Sequence, residues 1–117
     1  MLFRSIASPE YNASITPLLK NTIDWLSQSV GGASGNAPFT NKTGALLGAS
    51  NGAFGTIRAL PHVSYILSNL GVFMLPVVAV PGVGQTFDAT GNMSNERTLN
   101  MVAGLGAKLA RTIEKLG

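Results

Sequence analysis

The apolar positions of this chain change period several times. From Ile15 onward, Ile15, Leu18, Leu19, Ile23 and Leu26 recur at helical spacing. Ser14 stands where an N-cap is wanted, Pro17 fits only the first turn, and the helix is expected to end near Gln28. Residues 31–41, rich in Gly, Ser, Asn and Pro, predict a loop. Thr43–Ala49 (TGALLGA) is a short apolar run bounded by small residues and reads as a buried strand. Ser50-Asn51-Gly52-Ala53 predicts a turn. Phe54–Leu70 predicts a helix with Ile57, Leu60, Tyr65, Ile66 and Leu70 as its apolar set, kinked at Pro61 or broken there after a short first turn. Gly71 ends it. Val72–Val80 (VFMLPVVAV) is the most strand-like stretch. A loop over Gly82–Gly91 precedes a last helix, Asn95–Leu116, with Ser94 as N-cap and Leu99, Val102, Leu105, Leu109 and Ile113 as its buried stripe. Before all of these, Leu2–Ala7 reads as the end of a strand and Ser8–Asn12 as a turn.

Strands alternating with helices imply an α/β fold with a parallel sheet. Three strands make a thin sheet, as though the sequence began inside a fold. Only 11% of the 117 residues are charged while 45% are hydrophobic, which implies much buried surface, a subunit interface included. There is no cysteine, so disulfides, thiolate metal sites and a cysteine nucleophile are excluded. His62 is the sole histidine, and no G-x-S-x-G elbow accompanies it for a hydrolase. The net charge of +3 comes from scattered basic residues with no interleaved aromatics, which argues against a nucleic-acid partner. No apolar stretch approaches the ~20 residues of a membrane span, and no signal-peptide core is evident, so the expected compartment is the cytoplasm.

In open α/β sheets, ligands sit at the carboxyl ends of the strands. Two turns occupy that position, Ser8–Asn12 and Gly48–Gly55. Their outward N–H groups suit the carbonyl oxygens and ring nitrogens of a flat heterocycle, with Tyr11 to line it and Asn12 to hydrogen-bond. By pattern alone, both read better as ordinary strand-to-helix connections than as a binding site. Glu10 and Asp24 as an acid–base pair, Asn41-Lys42-Thr43 as the end of a phosphate loop, and Gly104-x-Gly106 as a dinucleotide motif are each a poor match to their chemistry.

Pro9-Glu10-Tyr11-Asn12, followed by Leu19-Lys20-Asn21 and Ile23-Asp24-Trp25, resembles the PEYN…LKNAIDW signature of the NADPH-dependent FMN reductase family. The Gly48–Gly55 turn resembles that family's second flavin loop, and Arg58-Ala59 and Leu70-Gly71 fall where it has its RA…LG pair. The resemblance implies a flavodoxin-like three-layer sandwich and hydride transfer from NADPH or NADH to FMN and on to an acceptor such as a quinone. It implies that Pro9, Glu10, Tyr11 and Asn12 wrap the isoalloxazine ring, and that Ser50, Asn51 and Gly52 lie near its other side. The cofactor carries the reaction, so no catalytic side chain and no metal is expected. The helix bearing Lys20, Asn21, Asp24 and Trp25 is implied to form a homodimer or tetramer interface. The family's GS-x-R-x-x-S-x-N phosphate loop does not occur in this sequence. Residues 6–117 are therefore expected to hold only the third to fifth strands of the fold, with weak FMN binding. Residues 1–5, whose Leu2-Phe3-Arg4-Ser5 matches a translated sequencing adapter, are expected to be a non-native leader. The alternative is a non-catalytic α/β interaction module.

Overall fold

The computed structural model describes residues 4–116. Four strands, β1 (Arg4–Ala7), β2 (Lys42–Ala49), β3 (Val72–Met74) and β4 (Val78–Val80), form one parallel sheet. β2 is central. It pairs with β1 on one side, Arg4 opposite Gly44 and Ala7 opposite Leu47, and with both β3 and β4 on the other. The helices are α1 (Pro17–Leu26), α2 (Leu60–Asn69), the single turn α3 (Val83–Thr86) and α4 (Glu96–Leu116). Of the expected leader, residues 1–3 lie outside the described residues, and Arg4 and Ser5 belong to β1.

Each face of the sheet carries its own core. On one, Ile23 of α1 and Leu60, Val63 and Leu67 of α2 pack on Leu46 and Val72. On the other, Leu105 and Leu109 of α4 pack on Ala45, Val78 and Val80. The sheet is thus the middle of three layers, the flavodoxin-like arrangement. β2 explains itself: buried on both faces, it has no polar face, and Gly44 leaves room for Met74 and Val72, whose atoms would lie 2.8–3.1 Å from an added Cβ.

The expected single strand over Val72–Val80 is two strands. Along β3 the register to β2 is Val72–Lys42 and Met74–Gly44, whereas along β4 it is Val78–Leu47 and Val80–Ala49. Leu75, Pro76 and Val77 therefore face only Ala45 and Leu46, which is a bulge of one residue. Proline has no N–H for the ladder, so the pairing breaks there.

Three helix expectations are corrected. α1 is capped by Thr16, whose hydroxyl accepts from the Leu19 N–H at 3.3 Å, and not by Ser14. It ends at Leu26, because the Ser27 hydroxyl and the Gln28 amide both turn back onto the Asp24 carbonyl. α2 starts at Leu60, not Phe54, with Pro61 in its first turn, where a missing N–H costs nothing. For α4, the Asn95 side chain, not that of Ser94, accepts the Thr98 N–H, at 3.0 Å, while the Ser94 hydroxyl donates to the Thr86 carbonyl. The buried stripes are also narrower than expected. Leu18, Leu26, Ile57, Tyr65 and Leu99 are exposed. No helix among the described residues is long and apolar enough to cross a membrane.

Candidate functional site

Two loops leave the carboxyl ends of adjacent strands, residues 8–16 after β1 and residues 50–59 after β2. The first is organised by a tight reversal. The Tyr11 N–H donates to the Ser14 carbonyl at 3.1 Å and the Ser14 N–H to the Tyr11 carbonyl at 3.0 Å. The two residues between, Asn12 and Ala13, stand at φ 49° and 66°, as a type I′ turn requires. Tyr11 and Asn12 are thereby held exposed at the end of the sheet, beside exposed Pro9.

The second loop is tied to the end of β4. The Ser50 N–H donates to the Val80 carbonyl at 3.0 Å, the Val83 N–H to the Ser50 carbonyl at 3.1 Å, and the Gly84 N–H to Asn51 Oδ1 at 3.2 Å. Asn51 and Gly52 are exposed, and together with Pro81, Gln85, Asn95 and Arg97 they border a groove of about 730 Å³. Gly55 turns at φ 53° directly against the Val80–Pro81 backbone, where an added Cβ would come within 2.5 Å of the Pro81 nitrogen.

The loops meet at two places. At the strand ends, the Ser8 N–H donates to the Leu47 carbonyl at 3.0 Å, and an added Cβ on Gly48 would lie 2.5 Å from the Ser8 oxygen and 2.2 Å from Thr56 Oγ1. Thr56 is buried at φ 78°, a costly conformation for a β-branched residue, and its hydroxyl has no hydrogen-bond partner. Further out, Glu10 crosses between the loops. Its Oε2 accepts the backbone N–H of Arg58 at 3.0 Å and of Ala59 at 3.1 Å, and its Oε1 accepts from Arg58 Nε at 2.7 Å and pairs with Arg58 Nη2. Arg58 in turn lies over the Phe54 ring, 4.8 Å from its centre. Partial desolvation pushes the Glu10 pKa up. The Arg58 side chain, the Ala59 N–H, the Arg58 charge and the Arg58 N–H together outweigh that and hold it below the usual carboxylate value.

All seven candidate residues, Pro9, Glu10, Tyr11, Asn12, Ser50, Asn51 and Gly52, therefore lie on these two loops. Glu10 differs from the rest. Its side chain is only 7% exposed and is turned onto the second loop instead of outward. Thr56, Arg58 and Ala59 were absent from the candidate set. Arg58-Ala59 was visible as a motif, but a contact across 48 positions has no local sequence signal. Asp24 is not drawn to Glu10; it pairs with Lys20 at 2.7 Å on exposed α1. His62 is exposed in the first turn of α2. A separate, mainly apolar cleft of about 450 Å³ lies away from these loops, between α1 and the sheet, lined by Ile6, Leu19, Phe39 and Met74 with Ser5, Thr22 and Lys42 as polar neighbours.

Residues 6–85 match the family model described as NADPH-dependent FMN reductase. The chain is 39% identical over 98 residues to an NAD(P)H-dependent FMN reductase of Pseudomonas aeruginosa, covering 82% of this chain and 50% of that protein. It is 34% identical over 95 residues to a 2-hydroxy-1,4-benzoquinone reductase of a Burkholderia species, covering 80% and 50%. Among solved structures, the flavoenzyme NAD(P)H:(acceptor) oxidoreductase FerB of Paracoccus denitrificans superposes with a TM-score of 0.80 at 27% identity, over 97% of this chain and 61% of that one. The chain spans about half the length of the curated relatives it matches.

Proposed function

The chain belongs to the NADPH-dependent FMN reductase family, and from that premise we propose that its two loops bind the isoalloxazine ring of FMN in an NAD(P)H-dependent reductase. The observation that carries the reading is the pairing of exposed polar loops at the carboxyl ends of two adjacent parallel strands. The donor set fits a flat, electron-poor heterocycle. The loops offer backbone N–H groups and the amides of Asn12 and Asn51. Glu10, the one carboxylate on them, is already engaged by Arg58 and Ala59, so no free negative charge faces the ring.

Bound FMN supplies the redox chemistry, accepting a hydride from a nicotinamide and passing electrons to an acceptor. The chain's own contribution is positional. Pro9, Tyr11 and Asn12 present one edge, with Tyr11 free to lie against the ring, and Ser50, Asn51 and Gly52 present the other. The absence of a side chain at Gly52, where an added Cβ would meet nothing nearer than Ser50 Oγ at 3.8 Å, leaves the nicotinamide side open. Asn51 is held by the Gly84 N–H, which fixes its amide plane. A quinone-type acceptor is supported by the name of the Burkholderia relative. Homodimer or tetramer assembly is supported by the exposed apolar side chains of Leu18 and Trp25 on α1 and Tyr65 on α2. The expected compartment is the cytoplasm.

The test is a fluorescence titration of FMN with the purified chain, with the visible absorption spectrum recorded alongside. Weak quenching is expected, since the family's phosphate loop does not occur in this sequence; a low-micromolar or tighter midpoint would mean that the two loops make a working flavin site. A folded sample that quenches nothing overturns the reading and favours the non-catalytic interaction module.

A further inference from the structure

We propose that Glu10 is the positioning residue of this site, clamping the two loops into one unit by holding, from the opposite loop, the N–H groups of the turn that leads into α2. The proposal deepens the FMN reading and rests on it for its functional arm. Three observations converge. First, α2 has no cap of its own. Its N-cap residue, Ala59, carries no side chain able to accept a hydrogen bond, and no acidic residue stands in its first turn. The amino end of a helix leaves N–H groups without partners and favours negative charge. The N–H groups of Leu60, His62 and Val63 are already taken by the Thr56 and Ala59 carbonyls; Glu10 Oε2 supplies the negative charge and accepts from the N–H groups of Arg58 and Ala59, immediately before the helix.

Second, the segment so held is strained. Thr56, two residues before Arg58, sits at φ 78° with its hydroxyl buried and unpartnered. Such a conformation persists only where its surroundings over-determine it. The Ala59 N–H also donates to the Thr56 carbonyl at 3.0 Å, so Glu10 grips the same turn from outside. Third, Glu10 sits between Pro9 and Tyr11, whose neighbours form the tight reversal that presents Asn12. A shift of the second loop is therefore transmitted directly to the ring-facing residues of the first.

The backbone contacts, not the ion pair, carry the clamp. Arg58 is half exposed, and exposed ion pairs contribute little. Glutamine at position 10 can still turn its one oxygen onto the Arg58 and Ala59 N–H groups. Alanine offers nothing.

The test uses amide hydrogen exchange by NMR on the flavin-free chain, with FMN affinity as the second arm. In the unaltered protein, the amides of Tyr11, Ser14, Arg58 and Ala59 should open together, with protection equal within about threefold. Glu10→Ala should lower protection at all four by about tenfold or more, leaving Leu46 and Val63 unchanged, and should weaken FMN binding about tenfold. Arg58→Ala should stay within about threefold of the unaltered protein in both arms, and Glu10→Gln, which keeps one oxygen for the two N–H groups, within about threefold in the exchange arm. Protection that differs more than tenfold between the two loops before any substitution overturns the clamp, and this holds even if Glu10→Ala fails to fold. So does loss confined to Arg58 and Ala59, or unchanged FMN affinity in Glu10→Ala. If the unaltered chain binds no FMN, the functional reading fails, and the exchange arm still decides the clamp.

Discussion

Replacing Gly48 with alanine probes the contact between the loops where it is tightest. The added methyl group would lie 2.2 Å from Thr56 Oγ1 and 2.5 Å from the Ser8 carbonyl oxygen. Neither obstacle can move aside cheaply. Thr56 is buried, and the Ser8 carbonyl belongs to backbone fixed by the Ser8–Leu47 hydrogen bond at 3.0 Å. Overpacking of this kind costs about 1–3 kcal/mol, and two rigid obstacles place Gly48→Ala in the upper half of that range. Removing glycine also reduces the freedom of the unfolded chain, which returns roughly 0.4–1 kcal/mol. The net expectation is a destabilisation of about 1–2.6 kcal/mol. For a chain of this size that is a fall in Tm of roughly 5–15 °C. The assay is urea and thermal unfolding followed by far-ultraviolet circular dichroism. The double variant Gly48→Ala/Thr56→Ala removes one obstacle and leaves the Ser8 oxygen, so the pair should couple favourably by about 1 kcal/mol. A Tm change below about 2 °C for Gly48→Ala, or strict additivity in the double variant, would refute the reasoning.

Two further outcomes follow from the same geometry. Leu46, fully buried at the centre of β2 between α1 and α2, should lose about 2–5 kcal/mol on truncation to alanine, readable as a shift of the urea midpoint with an unchanged slope. Asp88 is held below the usual carboxylate value chiefly by the Thr90 hydroxyl and the Asn92 N–H, which outweigh its desolvation, with the Thr90 and Gly91 N–H groups adding to them. A depressed folded value stabilises the protein above the unfolded carboxylate pKa of about 3.9, and that stability is lost as the pH falls through the folded value. Glu10 acts in the same direction. The urea midpoint should therefore decline below about pH 4, and Asp88→Asn should flatten that decline; an unchanged acid limb in the variant would sink the assignment.

The alternation of strands and helices was legible because the apolar period changes between elements, and β2 stood out because every residue of TGALLGA is small or apolar. Helix starts were legible only where a proline marked them. Pro61 announced either a kink or a break after a short first turn; the structure resolves this with a turn at residues 54–59, whose Thr56 is at positive φ, before a helix that starts at Leu60. Capping was misread because Ser14, Thr16, Ser94 and Asn95 are all competent caps. The choice between neighbours is made by tertiary contacts such as the Ser94 hydroxyl on the Thr86 carbonyl. Exposure of Leu18, Tyr65 and Leu99 was hidden for a similar reason. A helix period says which residues share a stripe, but the width of the face that is covered depends on the neighbouring layer. The site was legible as two loops through a signature carried by Pro9–Asn12. The Glu10–Arg58 contact was not, since nothing local to either residue records the other.

The one-residue bulge at Leu75–Val77 reaches further than the broken ladder. Before it, Val72 and Met74 point toward α1 and α2; after it, Val78 and Val80 point toward α4. Because side chains alternate strictly along a strand, only an odd insertion can hand successive even-numbered residues to opposite faces. Deleting Pro76 would remove the extra residue and restore continuous pairing, with Val77 and Ala79 still facing α1 and α2 and Val78 and Val80 still facing α4. The segment from Val72 to Val80 thus carries one residue more than its pairing with β2 needs, and both cores keep their side chains when that residue is removed. In this stretch, the face each side chain takes is held more strictly than the length.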